Sequence, residues 1–175
     1  CTRTIKNEQK ISFCGFNDVG GVLNSETTVR HIQDEKKVND LVIVNAHWGE
    51  EYSSIPTERQ KDLAHKMIQA GANAIIGHHP HVIQPMEIYK GVPIIYSLGN
   101  FIFDQAWSEE TKKGLLLKIT FEGKDIINKE EFKTYKSLMD IHKFENGELV
   151  FTEEISQKQK AEFKVQEALF SKENE

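Results

Sequence analysis

No apolar run in this 175-residue chain approaches the ~20 residues that a membrane-crossing helix needs. The opening CTRTIKNEQK also lacks the apolar centre of a signal peptide. The expectation is a chain with no signal or transmembrane segment of its own. Cysteine is scarce: Cys1 and Cys14 are the only two, too near the start to frame a disulfide scaffold, and Cys14 sits inside an apolar run. On that reading they say little about redox compartment. There is no excess of positive charge either. Twenty-two Lys and Arg are interspersed among 27 Asp and Glu, for a net charge of −5, which argues against a surface that follows a phosphate backbone. No nucleic-acid partner is expected. Internal repeats and low-complexity linkers are also absent, and 38% hydrophobic residues suffice for one packed core.

What is there reads as α/β. Three short apolar runs, Ile11 to Phe16, Leu41 to Ala46 and Ala74 to Gly77, are each bounded by Gly, Asn or Asp. They are too continuously apolar to alternate, as strands are when both faces of a sheet are covered. Between the last two, Pro56 to Gly71 reads as a helix: Pro56 suits a first turn, Leu63, Met67 and Ala70 share a stripe, and Gly71 is a natural stop. VPIIYSL, from Val92, reads as a strand that ends at the turn residues Gly99 and Asn100. Gly114 to Phe121 reads as another. Asp140 to Phe144 and Glu148 to Phe151, joined by Asn146 and Gly147, read as a hairpin. Ser156 to Ser171 reads as a charged amphipathic helix. The order β, α, β, β followed by a β-rich end does not complete a doubly wound sheet.

Four of the seven histidines fall where strands end: His47 after LVIVNA, and His78, His79 and His81 after AIIG. In layered α/β folds, ligands collect at the carboxyl ends of strands because the loops there converge. Imidazole is the commonest protein ligand for borderline transition ions. Taken singly, a histidine in the position of His47 is more often a hydrogen-bonded surface or core residue than a ligand. Three histidines within four residues, entered through Gly77 and stiffened by Pro80, point to metal binding. Glu50, Glu51, Asn100 and Asp104 are the nearby oxygen donors. His31, His65 and His142 read as structural or solvated, Trp48 as a packing residue, and Gly99–Asn100 as a plain turn.

HWGEEY at His47 to Tyr52, GHHPHVIQPMEIYKG at Gly77 to Gly91 and SLGNFIFDQ at Ser97 to Gln105 together resemble the C-terminal motifs of the CapA family. These are poly-γ-glutamate capsule biosynthesis proteins, similar in fold to calcineurin-like metallophosphoesterases. The resemblance covers roughly Ile11 to Phe121. It implies the C-terminal part of a four-layered α/β/β/α sandwich over residues 1–155, with an amphipathic helix over 156–175. It further implies His47, His79 and His81 as metal ligands. His78, at a position that tolerates other residues, ranks below them, with Glu51 and Asn100 as additional site residues. The family's Gly-Asp, Asn-Leu-Glu and Asn-Asn-His segments do not occur in this chain. The expectation is therefore a fragment, or a chain whose N-terminal half is a separate polypeptide, with an incomplete site and no activity of its own.

The resemblance implies a metal-dependent hydrolase-type protein using Mn, Fe or Zn, with two ions in the complete protein. Its setting would be the synthesis of poly-γ-glutamate or another anionic envelope polymer. Its partners would be that polymer, the N-terminal half and membrane-bound synthase components, at an extracytoplasmic or cell-envelope location. No catalytic residue is assigned. The alternative is a non-catalytic component that uses the same fold to bind polymer or synthase.

Overall fold

A computed structural model describes residues 1–101, 103–105, 107–117 and 119–122, together with the strands 125–128, 132–136, 142–145 and 148–151. Its centre is a six-stranded sheet in the order β1-β2-β3-β4-β6-β5. The strands are β1 (Thr2–Lys6), β2 (Gln9–Asn17), β3 (Leu41–His47), β4 (Ala74–His78), β5 (Met86–Tyr89) and β6 (Val92–Ile95). The four middle strands run parallel, and an antiparallel hairpin closes each edge. Asn7 and Glu8 make the first hairpin turn, and Lys90 and Gly91 the second. All four have positive φ, matching the twist of the strands they join.

Two helices cross between the parallel strands: α1 (Ser25–Val38) from β2 to β3, and α2 (Glu58–Gln69) from β3 to β4. The order is thus β, β, α, β, α, β, with one helix more than the sequence pattern suggested. Only Thr28 and Ile32 of α1 are buried, so its apolar period is faint. Its ends are better marked, by Asn24 capping the Thr27 amide and by Lys36 and Lys37 in the last turn. The second helix starts later than Pro56, because Thr57 forms a capping box with Gln60 and so sets the boundary. It ends before Gly71, whose φ of 115° is closed to other residues without strain.

Both helices pack on one face of the sheet. Cys14, Val42, Val44, Ala46, Ile75, Ile94 and Tyr96 meet Ile32, Leu63, Ala64, Met67 and Ile68 there. The register puts Phe13, Ile43 and Ala74 abreast on the other face, followed by Gly15, Asn45, Ile76 and Ile95. On that face Phe13 is 44% exposed and Gly15 is open, so among the described residues the β2 side lacks a covering layer.

The reading of the cysteines needs correction: Cys1 and Cys14 form a disulfide. It ties the start of the edge hairpin to β2. Cys14 is fully buried on the helix-facing side, so the apolar run around it reflects core packing and does not exclude a bond.

The strand expected at Gly114 to Phe121 is split into β7 (Lys113–Leu117) and β8 (Thr120–Glu122). The former pairs with β10 (Phe132–Lys136) and the latter with β9 (Asp125–Asn128). The hairpin expected near the end is present as β11 (His142–Glu145) and β12 (Glu148–Phe151). The helix expected at Ser156 to Ser171, and with it the 156–175 segment, lies outside the described residues.

Candidate metal centre

The ends of β3 and β4 lie side by side, with His47 paired in register with His78. The next residue, Trp48, turns inward and is fully buried, its indole N–H donating to the Tyr96 carbonyl oxygen at 2.9 Å. That contact requires Gly77, where an added Cβ would sit 1.9 Å from the same carbonyl oxygen and 2.6 Å from the indole nitrogen. Trp48 is thus the packing residue its sequence context suggested.

Two loops leave these strand ends in strained conformations. Tyr52, His79 and His81 all have positive φ, at 63°, 101° and 61°. Left-handed backbone is uncommon outside Gly, Asn and Asp, and its concentration at one rim marks candidate functional sites. The Tyr52 amide donates to the Pro80 carbonyl at 2.8 Å and holds the loops together. As a result Glu51, His79 and His81 each place one ligand atom within 4.8 Å of the others. Donors on one tetrahedral ion with bonds near 2.1 Å stand about 3.5 Å apart, so these would draw inward by about 1 Å. Two imidazoles and a carboxylate suit a borderline divalent ion.

The residues expected from sequence divide as follows. His79 and His81 stand together, and Glu51 completes their trio. His47 is exposed beside it, its ring centroid 4.8 Å from that of His79, but outside the trio. His78 is half-buried at the end of β4 and also outside it. Asn100 shares the rim, with its Oδ1 2.9 Å from His81 Nδ1.

Four further residues were not singled out by sequence. Gln105 accepts from Asn100 Nδ2 at 3.2 Å and donates to the Tyr52 hydroxyl at 3.2 Å; the Thr111 carbonyl accepts from Asn100 Nδ2 at 3.0 Å. Tyr52 and Phe103 lie stacked near the His81 ring, with centroids at 6.0 and 5.3 Å. For Tyr52, Phe103 and Gln105 the only sequence signal was membership of the quoted motifs, and Thr111 lies outside those motifs.

Burial, reinforced by the neighbouring His47, lowers the pKa of both His78 and His79 below the usual imidazole value, with Glu51 opposing the effect at His79. Both therefore favour the neutral form, which is the one that ligates metal. One of the histidines set apart from the cluster is accounted for by its contacts. His65 is structural: its Nε2 pairs with Glu87 at 2.7 Å and its ring stacks on Tyr89 at 3.8 Å.

The sequence profile of a bacterial capsule synthesis protein family, PGA_cap, matches residues 4–105. The chain is 43% identical over 123 residues to the PGA biosynthesis protein CapA of Bacillus subtilis (strain 168), covering 63% of this chain and 32% of that protein. It is 49% identical over 98 residues to the capsule biosynthesis protein CapA of Bacillus anthracis, covering 54% of this chain and 24% of that one. The chain thus spans about a quarter to a third of the length of these curated relatives. A crystal structure of a hypothetical protein from Thermus thermophilus has the same fold over 78% of this chain and 62% of its own, with a TM-score of 0.59 at 14% identity.

Proposed function

The chain belongs to the bacterial capsule synthesis protein family PGA_cap, and from that premise we propose that it is the metal-binding part of a hydrolase-type protein acting on poly-γ-glutamate or a related anionic envelope polymer. The observation that carries this reading is the convergence of Glu51, His79 and His81, from two separate loops, on one point at the strand ends. In this reading His79, His81 and Glu51 would be ligands, and His47, whose ring stands beside that of His79, would be a further one. A bound Mn, Fe or Zn ion would supply Lewis acidity and a water of lowered pKa. The chain's residues orient the donors: Asn100 holds His81, Gln105 holds Tyr52, and the Tyr52–Pro80 bond fixes the two loops.

The partly uncovered sheet face supports a further layer from the rest of the protein, as in a four-layered sandwich. An N-terminal half would bring the opposing ligands, and membrane-bound synthase components would be partners. The disulfide supports an extracytoplasmic or envelope location, since such bonds persist in oxidising compartments. Among the described residues no helix is long and apolar enough to cross a membrane.

The test uses this chain and a longer protein in which an N-terminal half precedes it. Metal content and hydrolysis of a generic phosphodiester and of poly-γ-glutamate are measured for each, and for their His79→Ala, His81→Ala and His78→Ala variants. The longer protein should turn over with Mn²⁺ or a similar ion, and this chain alone should not. His79→Ala and His81→Ala should lose metal and most activity, and His78→Ala much less. Full metal content and activity in the first two variants would overturn the ligand assignment. Metal loading without turnover of either substrate would leave a non-catalytic binding component.

A further inference from the structure

We propose that Asn100 is a positioning residue that sets the tautomer of His81, keeping the proton on Nδ1 and leaving the Nε2 lone pair free at the rim. The proposal rests on the metal-site reading above for its purpose, but not for its geometry. Asn100 is 6% exposed, so the direction of its amide is set by protein neighbours. Its Nδ2 lies 3.0 Å from the Thr111 carbonyl oxygen, which can only accept. The NH₂ group must therefore point to Thr111, and it reaches Gln105 Oε1 in the same orientation. Oδ1 is left facing His81 Nδ1 at 2.9 Å, and an oxygen there can only accept. A neutral imidazole satisfies it by carrying its hydrogen on Nδ1.

The backbone around this contact has little freedom. Gly99 holds a φ of 70°, and an added Cβ at Gly114 would lie 2.0 Å from the Asn100 carbonyl oxygen. Leu115 donates to the Leu98 carbonyl at 2.8 Å, fastening β7 beside the segment that carries Asn100. Gln105 links the same amide to the Tyr52 hydroxyl, while the Tyr52 ring lies stacked near His81. One buried amide thus orients a ring nitrogen of His81 and is coupled to the aromatic side chain beside it. Hydrogen-bonded partners of this kind hold ligating histidines in one tautomer, and their removal costs 10–100-fold in metal affinity.

The test is long-range proton–nitrogen NMR of the ¹⁵N-labelled, metal-free chain, recorded well above the histidine titration range, with His81→Gln identifying the signals. Wild-type His81 should show a protonated Nδ1 and a lone pair on Nε2. Asn100→Leu should release it to a mixture of tautomers and weaken Zn²⁺ binding by about 10–100-fold in calorimetry. Asn100→Asp keeps an acceptor toward His81 but sets its second oxygen against the Thr111 carbonyl, so where it folds it should retain the wild-type tautomer. A protonated Nε2 in the wild type, or an unchanged tautomer in folded Asn100→Leu, overturns the proposal. The wild-type spectrum decides the tautomer even if that variant fails to fold. The expected tautomers without Zn²⁺ binding even by the longer protein that carries the N-terminal half would instead sink the metal-site reading and leave the role of Asn100 standing.

Discussion

At residue scale the site depends on a few positions where only one side chain fits. Gly77 shows this most sharply, because a methyl group there meets a backbone carbonyl and a buried indole together. Neither can yield without separating β4 from Tyr96, the residue that follows β6. Gly77→Ala should therefore destabilise the chain by about 3 kcal/mol, the upper end of ordinary overpacking. Urea denaturation followed by tryptophan fluorescence checks this, and a loss below about 1 kcal/mol would show that the crowding is relieved. His79 and His81 were legible as a cluster because three histidines so close together after a strand have few structural explanations. Glu51 was less so. Its carboxylate reaches the trio only because Tyr52 takes a left-handed conformation and bonds to Pro80, which no residue pattern announces.

At the scale of elements, the helix the sequence pattern missed is anchored by charge. Glu35 of α1 accepts from Arg3 at 2.8 and 2.9 Å, from Ser12 at 2.8 Å and from Asn39 at 3.0 Å. The hydrogen bond from Arg3, followed by that from Ser12, holds its pKa at about 2, against an ordinary 4.5. A carboxyl with a depressed folded pKa stabilises the fold above its unfolded value and loses that contribution as pH falls. Glu35→Gln should therefore be less stable than wild type at pH 7. The gap should close as pH drops from about 4.5 to about 2, as followed by urea midpoints; a gap independent of pH would refute the linkage. Arg3 is largely exposed, so added salt should shrink the effect. The second helix was legible from Leu63 and Met67 on one stripe, and its start was misplaced only because Thr57 caps better than Pro56 leads. The first was hidden because a helix that buries two side chains leaves almost no period to read.

At the scale of the molecule, the sheet has one well-packed face and one partly bare. Phe13 is the most exposed apolar residue there, with Ile76 half-buried nearby. The chain alone should bind a hydrophobic dye or self-associate, and Phe13→Asp should reduce dye binding without loss of cooperative melting. A monodisperse wild-type chain that binds no dye would show that the face needs no cover. The sequence by itself determined the layered α/β class, all four parallel strands in outline, and the gathering of histidines at strand ends. Apolar runs and their punctuation are local, so they survive in one dimension. Only the tertiary structure decided that Glu51 joins His79 and His81 in a trio that leaves out His47, that Cys1 reaches Cys14, and that Asn100 faces His81 through a buried amide. Each of those contacts joins segments brought together by strand register and loop strain, and neither quantity is carried by any residue alone.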